Sequence, residues 1–281
     1  MNGSECLVGT LINHGVDLIF TNPGTSEVGL LAESGTSEEI RAVPVLLEGS
    51  ASGAADGYFR RTGRPAATLL HVGPGLANAK SALHNAAKAR SGVVNIVGQL
   101  SEAHLEYESP LKSDLLALAT SVSDVVRYPL STERVGIDAN AIADAAKRGK
   151  VATLVMANDV GWSDGAALVR RPDAQDPDAH SAPDPAAITA LKRGPRTLLL
   201  LGGMALDVSA QQDAAAIASA TGCNVMIEWA SARCERGGDL PSWVRIPYSV
   251  DDAVRALAEF DTIVLCGATS PIAFFNYSNS P

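Results

Sequence analysis

The sequence predicts an α/β protein: a doubly wound parallel sheet covered by helices on both faces, followed by a second, partial α/β unit. Three observations carry this expectation. Short apolar runs alternate with amphipathic stretches from the N-terminus to about Val160. The runs themselves (VDLIFTN, AATLLHV, VVNIVGQ, VATLVMA) are nearly continuous in apolar residues, as strands buried on both faces require. With 46% hydrophobic and 19% charged residues in 281, the chain can build two cores and lies well outside the disordered class.

Taken in order, residues 4–14 predict a helix, VDLIFTN (16–22) a strand and 26–33 a short helix. AVPVLL (42–47) predicts a strand and 49–62 a helix packed through small residues, Gly49, Ser50, Ala51, Ser52, Gly53, Ala54 and Ala55. AATLLHV (66–72) is expected as a strand, 76–89 as a helix and VVNIVGQ (93–99) as a strand. A helix around 136–148 and the strand VATLVMA (151–157) close a first domain spanning 1–163. Residues 164–187, rich in Pro, Asp and Ala without periodicity, predict a linker. A second unit over 188–281 begins with RTLLLLGG (196–203) and continues with a helix near 207–221 and the strand NVMIEW (224–229). A helix near 251–259 and the strand TIVLCGA (262–268) follow, so this unit is expected to be incomplete.

Net charge is −9, from 22 basic and 31 acidic residues, which argues against a broad nucleic-acid footprint but not against an anion held locally. Cys6, Cys223, Cys234 and Cys266 form no C-x-x-C pair, so neither a disulfide framework nor a zinc knuckle is expected, and a cytoplasmic setting fits. The N-terminal residues lack the basic and apolar regions of a signal peptide, and no apolar run reaches membrane-spanning length.

Ligands of parallel sheets bind beyond the C-terminal ends of the strands. TNPGTSE (21–27) follows the first predicted strand, Glu48 the second, HVGPG (71–75) the third and GQLSE (98–102) the fourth. Each has a plain structural reading. N-P-G and G-P-G make turns, Glu48 can be a helix cap, and His71 can be a core histidine. Four such loops together argue for a shared site.

These residues resemble a known family. Asn22-Pro23-Gly24, E-G-x-A-x-G-A-A-D-G-Y from Glu48 to Tyr58, T-G-R-P (62–65), Gly73-Pro74-Gly75 with Asn78, and Val97-Gly98-Gln99 are similar in order and spacing to the pyrimidine-binding domain of thiamine diphosphate-dependent enzymes. The wording looks most like the acetolactate synthase large subunits, with likeness also to benzoylformate decarboxylase. The resemblance implies that Glu48 hydrogen-bonds N1′ of the cofactor's aminopyrimidine and shares a proton there. Flanked by Leu46 and Leu47, that carboxylate is expected to be buried among apolar groups that favour its protonated form. The small residues after it are expected to bring the helix onto the sheet and leave room for a flat ring. Asn22, Pro23, Gly24, Gly73, Pro74, Gly75 and Asn78 are implied cofactor contacts, the glycines by close backbone approach. Thr25, His71 and Gln99 are implied on the substrate side, His71 as a proton relay or, equally, a structural histidine. His84 is expected to serve packing or an interface.

The family holds the diphosphate through Mg²⁺ on a further domain carrying G-D-G, and no matching motif follows here. The expectation is therefore a chain without that diphosphate-binding domain, either a fragment or one subunit of a split enzyme, working as a homodimer or homotetramer. The function implied is a thiamine diphosphate-dependent lyase or carboligase acting on a small-molecule 2-oxo acid. A benzoylformate-type decarboxylase giving an aldehyde is the alternative, and a non-catalytic nucleotide-binding or regulatory module is the rival from another class.

Overall fold

In a computed structural model, residues 1–169 and 182–273 are described. The chain divides into two compact units, Met1–Pro177 and Asp178–Pro281. The first opens with α1 (Gly3–Asn13), β1 (Leu18–Asn22), a 3₁₀ turn (Thr25–Glu27), α2 (Val28–Thr36), β2 (Arg41–Pro44) and α3 (Glu48–Thr62). It continues with β3 (Ala66–Leu70), α4 (Val72–Lys88), β4 (Val93–Gln99), α5 (Leu115–Thr120) and β5 (Val125–Arg127). α6 (Val135–Lys147), β6 (Val151–Ala157) and α7 (Asn158–Trp162) complete it.

All six strands pair in parallel, in the order β2-β1-β3-β4-β6-β5. Alternate residues of the central strands feed two separate cores, as the two-residue period of a strand requires. Ala67, Leu69, Val94, Ile96, Ala152 and Leu154 pack with Leu7 and Leu11 of α1, Leu30 of α2 and Ile142 of α6. Ala66, Leu70, Val93, Val97, Val151 and Val155 pack on the other side with Ala51 and Ala55 of α3, Leu76 and Leu83 of α4 and Leu115 of α5. This is a sheet with helices on both faces, as the sequence predicts.

Several boundaries differ. The strand expected over 42–47 ends at Pro44. Val45 still donates to the Thr21 carbonyl at 2.9 Å, but Leu46 is fully exposed at 100% and Leu47 half-exposed at 51%. α4 starts at Val72, ahead of the expected residue 76, because G-P-G is its first turn rather than a loop before it. Pro74 is tolerated there since the first-turn N–H groups have no helical partner. α5 and β5 were not expected. β5 is a three-residue, partly exposed edge strand without an apolar run to announce it. The small residues of α3 bring it closest to α4, where a Cβ on Gly49 would stand 3.4 Å from the Asn78 carbonyl oxygen.

The expected 164–187 linker lies partly on residues outside those described. Of its described part, Gly165 and Ala166 donate to the Met1 carbonyl and Asp164 bridges to Asn2. The second unit comprises α8 (Pro185–Leu191), β7 (Thr197–Leu201), α9 (Val208–Thr221), β8 (Asn224–Ile227), β9 (Val244–Arg245), α10 (Val250–Leu257) and β10 (Thr262–Cys266). Its parallel sheet runs β10-β7-β8-β9, so the three expected strands are joined by a two-residue edge strand. No helix among the described residues is long and apolar enough to cross a membrane.

Candidate active site

β1 lies between β2 and β3, so the connections leaving β1 and β3 turn to opposite faces of the sheet. α2, after β1, joins one core and α4, after β3, the other. This reversal opens a crevice at the strand ends, the usual ligand position in doubly wound sheets. The end of β1 with the 3₁₀ turn after it (22–27) and the first turn of α4 with its cap (71–75) border it.

Glu48 is the first residue of α3 and is 7% exposed. Its Oε1 accepts from Asn22 Nδ2 and its Oε2 from Asn78 Nδ2, both at 3.0 Å. The apolar flank expected from Leu46 and Leu47 is therefore absent: both project outward, and two carboxamides hold the carboxylate instead. A helix start also favours a negative side chain, through the unpaired N–H groups of its first turn. Gly75 lies against this group, since a Cβ there would sit 3.7 Å from Glu48 Oε1. Each carboxylate oxygen keeps a second lone pair for another donor.

His71 caps α4, and Val72 after it takes φ +39, a strained conformation for a β-branched residue. The His71 ring fills the space above Gly24, where a Cβ would meet Nδ1 at 2.3 Å. His71 Nδ1 lies 2.9 Å from Oε2 of Glu27, which also accepts from the Gly24 N–H at 2.8 Å. Glu27 is completely buried, and burial pushes its carboxyl above the ordinary value against the opposing pull of the Gly24 N–H and of His71. Its Oε1 has no hydrogen-bond partner and occupies the place a Cβ on Gly98 would take, 1.6 Å from the ideal Cβ position.

Glu27 was not among the expected site residues. Its signal is its place three residues after Gly24, in a loop at a strand end, where a carboxylate can reach back to the Gly24 N–H. The other expected positions divide. Asn22 and Asn78 converge on Glu48, and Gly24 and His71 converge on Glu27. The space above Gly73 is taken by Ser113, whose Oγ would be 1.9 Å from a Cβ, so this glycine admits a side chain of its own chain. Thr25, Pro23 and Pro74 are exposed. Gln99 ends β4, 7% exposed, with its Oε1 accepting from the Leu100 N–H at 2.9 Å. His84 lies on the exposed side of α4. Tyr58 and Arg64 of the motif segments bind each other and Asp17, so they tie the end of α3 to the start of β1.

A buried carboxylate with free acceptor capacity, flanked by two carboxamides and a glycine, suits the polar edge of an aminopyrimidine. Among the described residues no three His, Cys, Asp or Glu side chains converge as a metal site.

A family model described as "Thiamine pyrophosphate enzyme, N-terminal TPP binding domain" matches residues 1–118. A Mycobacterium tuberculosis protein provisionally named as an acetolactate synthase large subunit is 41% identical over 284 residues, covering 100% of this chain and 55% of its own. Benzoylformate decarboxylase of Pseudomonas aeruginosa is 36% identical over 101 residues, 36% of this chain and 19% of that protein. The solved thiamine diphosphate-dependent 4-hydroxybenzoylformate decarboxylase of Rhodococcus jostii superposes with a TM-score of 0.81 at 25% identity, over 94% of this chain and 51% of that one. The chain thus spans about half the length of the relatives that it matches along most of its own.

Proposed function

Residues 1–118 match the family of thiamine pyrophosphate enzyme N-terminal TPP binding domains, and on that basis we propose that this chain is the pyrimidine-binding part of an enzyme that decarboxylates a 2-oxo acid. The observation carrying the reading is Glu48, a buried carboxylate in the crevice with both oxygens held by Asn22 and Asn78. When bound, thiamine diphosphate supplies the nucleophilic carbon and the electron sink for such cleavage. Glu48 would hold the aminopyrimidine by its ring nitrogen N1′ and move a proton at that atom. Asn22 and Asn78 fix the carboxylate so that it need not reorient when the proton moves. Gly75 keeps the approach to Glu48 open.

His71 Nε2 has no partner among the described residues, while Nδ1 is engaged by Glu27. This supports an acid or base at Nε2 that protonates the product carbon or takes a proton from a substrate group. A histidine in that role favours release of an aldehyde, as the names of the benzoylformate decarboxylase relatives suggest. Carboligation to an acetolactate-type product is the second reading, supported by the acetolactate synthase name of the relative matching the whole chain. The cofactor's diphosphate would be anchored through Mg²⁺ by a further domain, and the assembly would be a homodimer or homotetramer.

The test is an assay of the full-length protein with thiamine diphosphate, Mg²⁺ and a panel of 2-oxo acids including pyruvate and benzoylformate. Carbon dioxide release should accompany an aldehyde or a 2-hydroxy-2-methyl-3-oxo acid. Absence of both carbon dioxide release and cofactor binding by calorimetry would overturn the reading.

A further inference from the structure

We propose that Glu27 is the positioning residue of His71: it sets the imidazole's tautomer and holds its free nitrogen toward the crevice. This rests on His71 being the acid or base of the reading above. Glu27 Oε2 already accepts the Gly24 N–H at 2.8 Å, so its favoured role toward His71 Nδ1, at 2.9 Å, is again that of acceptor. Nδ1 then carries the hydrogen, and the neutral ring presents Nε2 as a lone pair. The second nitrogen of a histidine commonly decides in this way what the first can do.

Other features serve the same end. Gly24 lets the ring lie flat against the loop, since any side chain there would occupy the ring's place. Gly98 leaves the room that Glu27 Oε1 needs inside the sheet. The strained backbone of Val72 fixes the turn from which His71 projects. A fully buried carboxyl with one oxygen unpartnered is costly to keep for packing alone. Fixing a catalytic tautomer accounts for that cost.

The test reads the tautomer directly and needs no turnover. The 281-residue chain, labelled with ¹⁵N in histidine, is examined by NMR above the ring's titration, with His71 assigned through His71→Gln. The wild type should show Nδ1 protonated and Nε2 bare. Glu27→Gln, which keeps an acceptor, should retain that form, and Glu27→Leu should shift the ring toward the Nε2–H form that free histidine prefers. In the full-length enzyme, Glu27→Leu should lower kcat by about 10- to 100-fold with little change in KM or cofactor affinity. Glu27→Gln should recover part of the rate. A wild-type ring protonated on Nε2 overturns the proposal, and it does so even where Glu27→Leu fails to fold. Loss of activity in His71→Ala with full activity in both Glu27 variants also overturns it while leaving the role of His71 intact. A correct tautomer with an unaffected His71→Ala enzyme removes the acid–base reading, and the catalytic part of the proposal with it.

Discussion

Adding one methyl group at Gly98 should displace Glu27 and destabilise the first unit measurably. The ideal Cβ of Gly98→Ala would lie 1.6 Å from Glu27 Oε1, 2.5 Å from Cδ and 2.9 Å from Cγ. Glu27 is fully buried, so it cannot swing into solvent without opening the loop that it closes. Forcing extra volume into a packed interior costs about 1–3 kcal/mol. Losing the bond to Gly24 or His71 adds about 1.5–3 kcal/mol where the carboxyl is charged. A total of about 2.5–6 kcal/mol corresponds to a fall of roughly 5–20 °C in the unfolding temperature of a unit this size. Circular dichroism melts of the 281-residue chain would measure it. The reasoning also makes a sharper claim. If the methyl harms the protein only through Glu27, Gly98→Ala combined with Glu27→Ala should be as stable as Glu27→Ala alone, within about 0.5 kcal/mol. Additive losses in the double variant would refute that account.

Glu48→Gln should reduce turnover of the full-length enzyme by about 10²–10⁴-fold, the usual contribution of a positioned proton-transfer group. A normal rate, with wild-type circular dichroism, would remove Glu48 from the mechanism. His71→Ala should slow decarboxylation without weakening cofactor binding; a wild-type rate with a lowered unfolding temperature would instead mark a structural histidine. Because burial raises the Glu27 carboxyl above its ordinary value, the folded state keeps that proton over pH values where the unfolded chain releases it. Stability from this group is therefore complete below about pH 4.3, the unfolded carboxyl's value, and is lost as pH rises through the higher folded value. The stability difference between wild type and Glu27→Gln should move against the wild type over that window, and a flat difference would contradict the raised value. The 281-residue chain should bind thiamine diphosphate weakly and with little response to Mg²⁺; tight Mg²⁺-dependent binding by calorimetry would reveal an anchor in it.

The sequence by itself determined the class of fold and most of its strands. β4 and β6 begin and end where their apolar runs do, because strands buried on both faces have few other residues to choose. It also determined that Glu48 stands where a helix begins, since the small residues after it have no other use at that spacing. What holds Glu48 was decided by the tertiary structure. Leu46 and Leu47, its neighbours in sequence, turn outward, and the carboxamides of Asn22 and Asn78 arrive from a strand end and another helix. The partnership of Glu27 with His71 is hidden for the same reason. One ends the 3₁₀ turn after β1 and the other caps the helix after β3, and only the pairing of those strands brings a buried carboxylate to an imidazole. Gly98 of β4 shows no local purpose either, because the atom that excludes its Cβ belongs to Glu27 in the turn after β1. Periodicity along a chain records which face is buried, whereas contact between strand ends depends on the order in which strands pair.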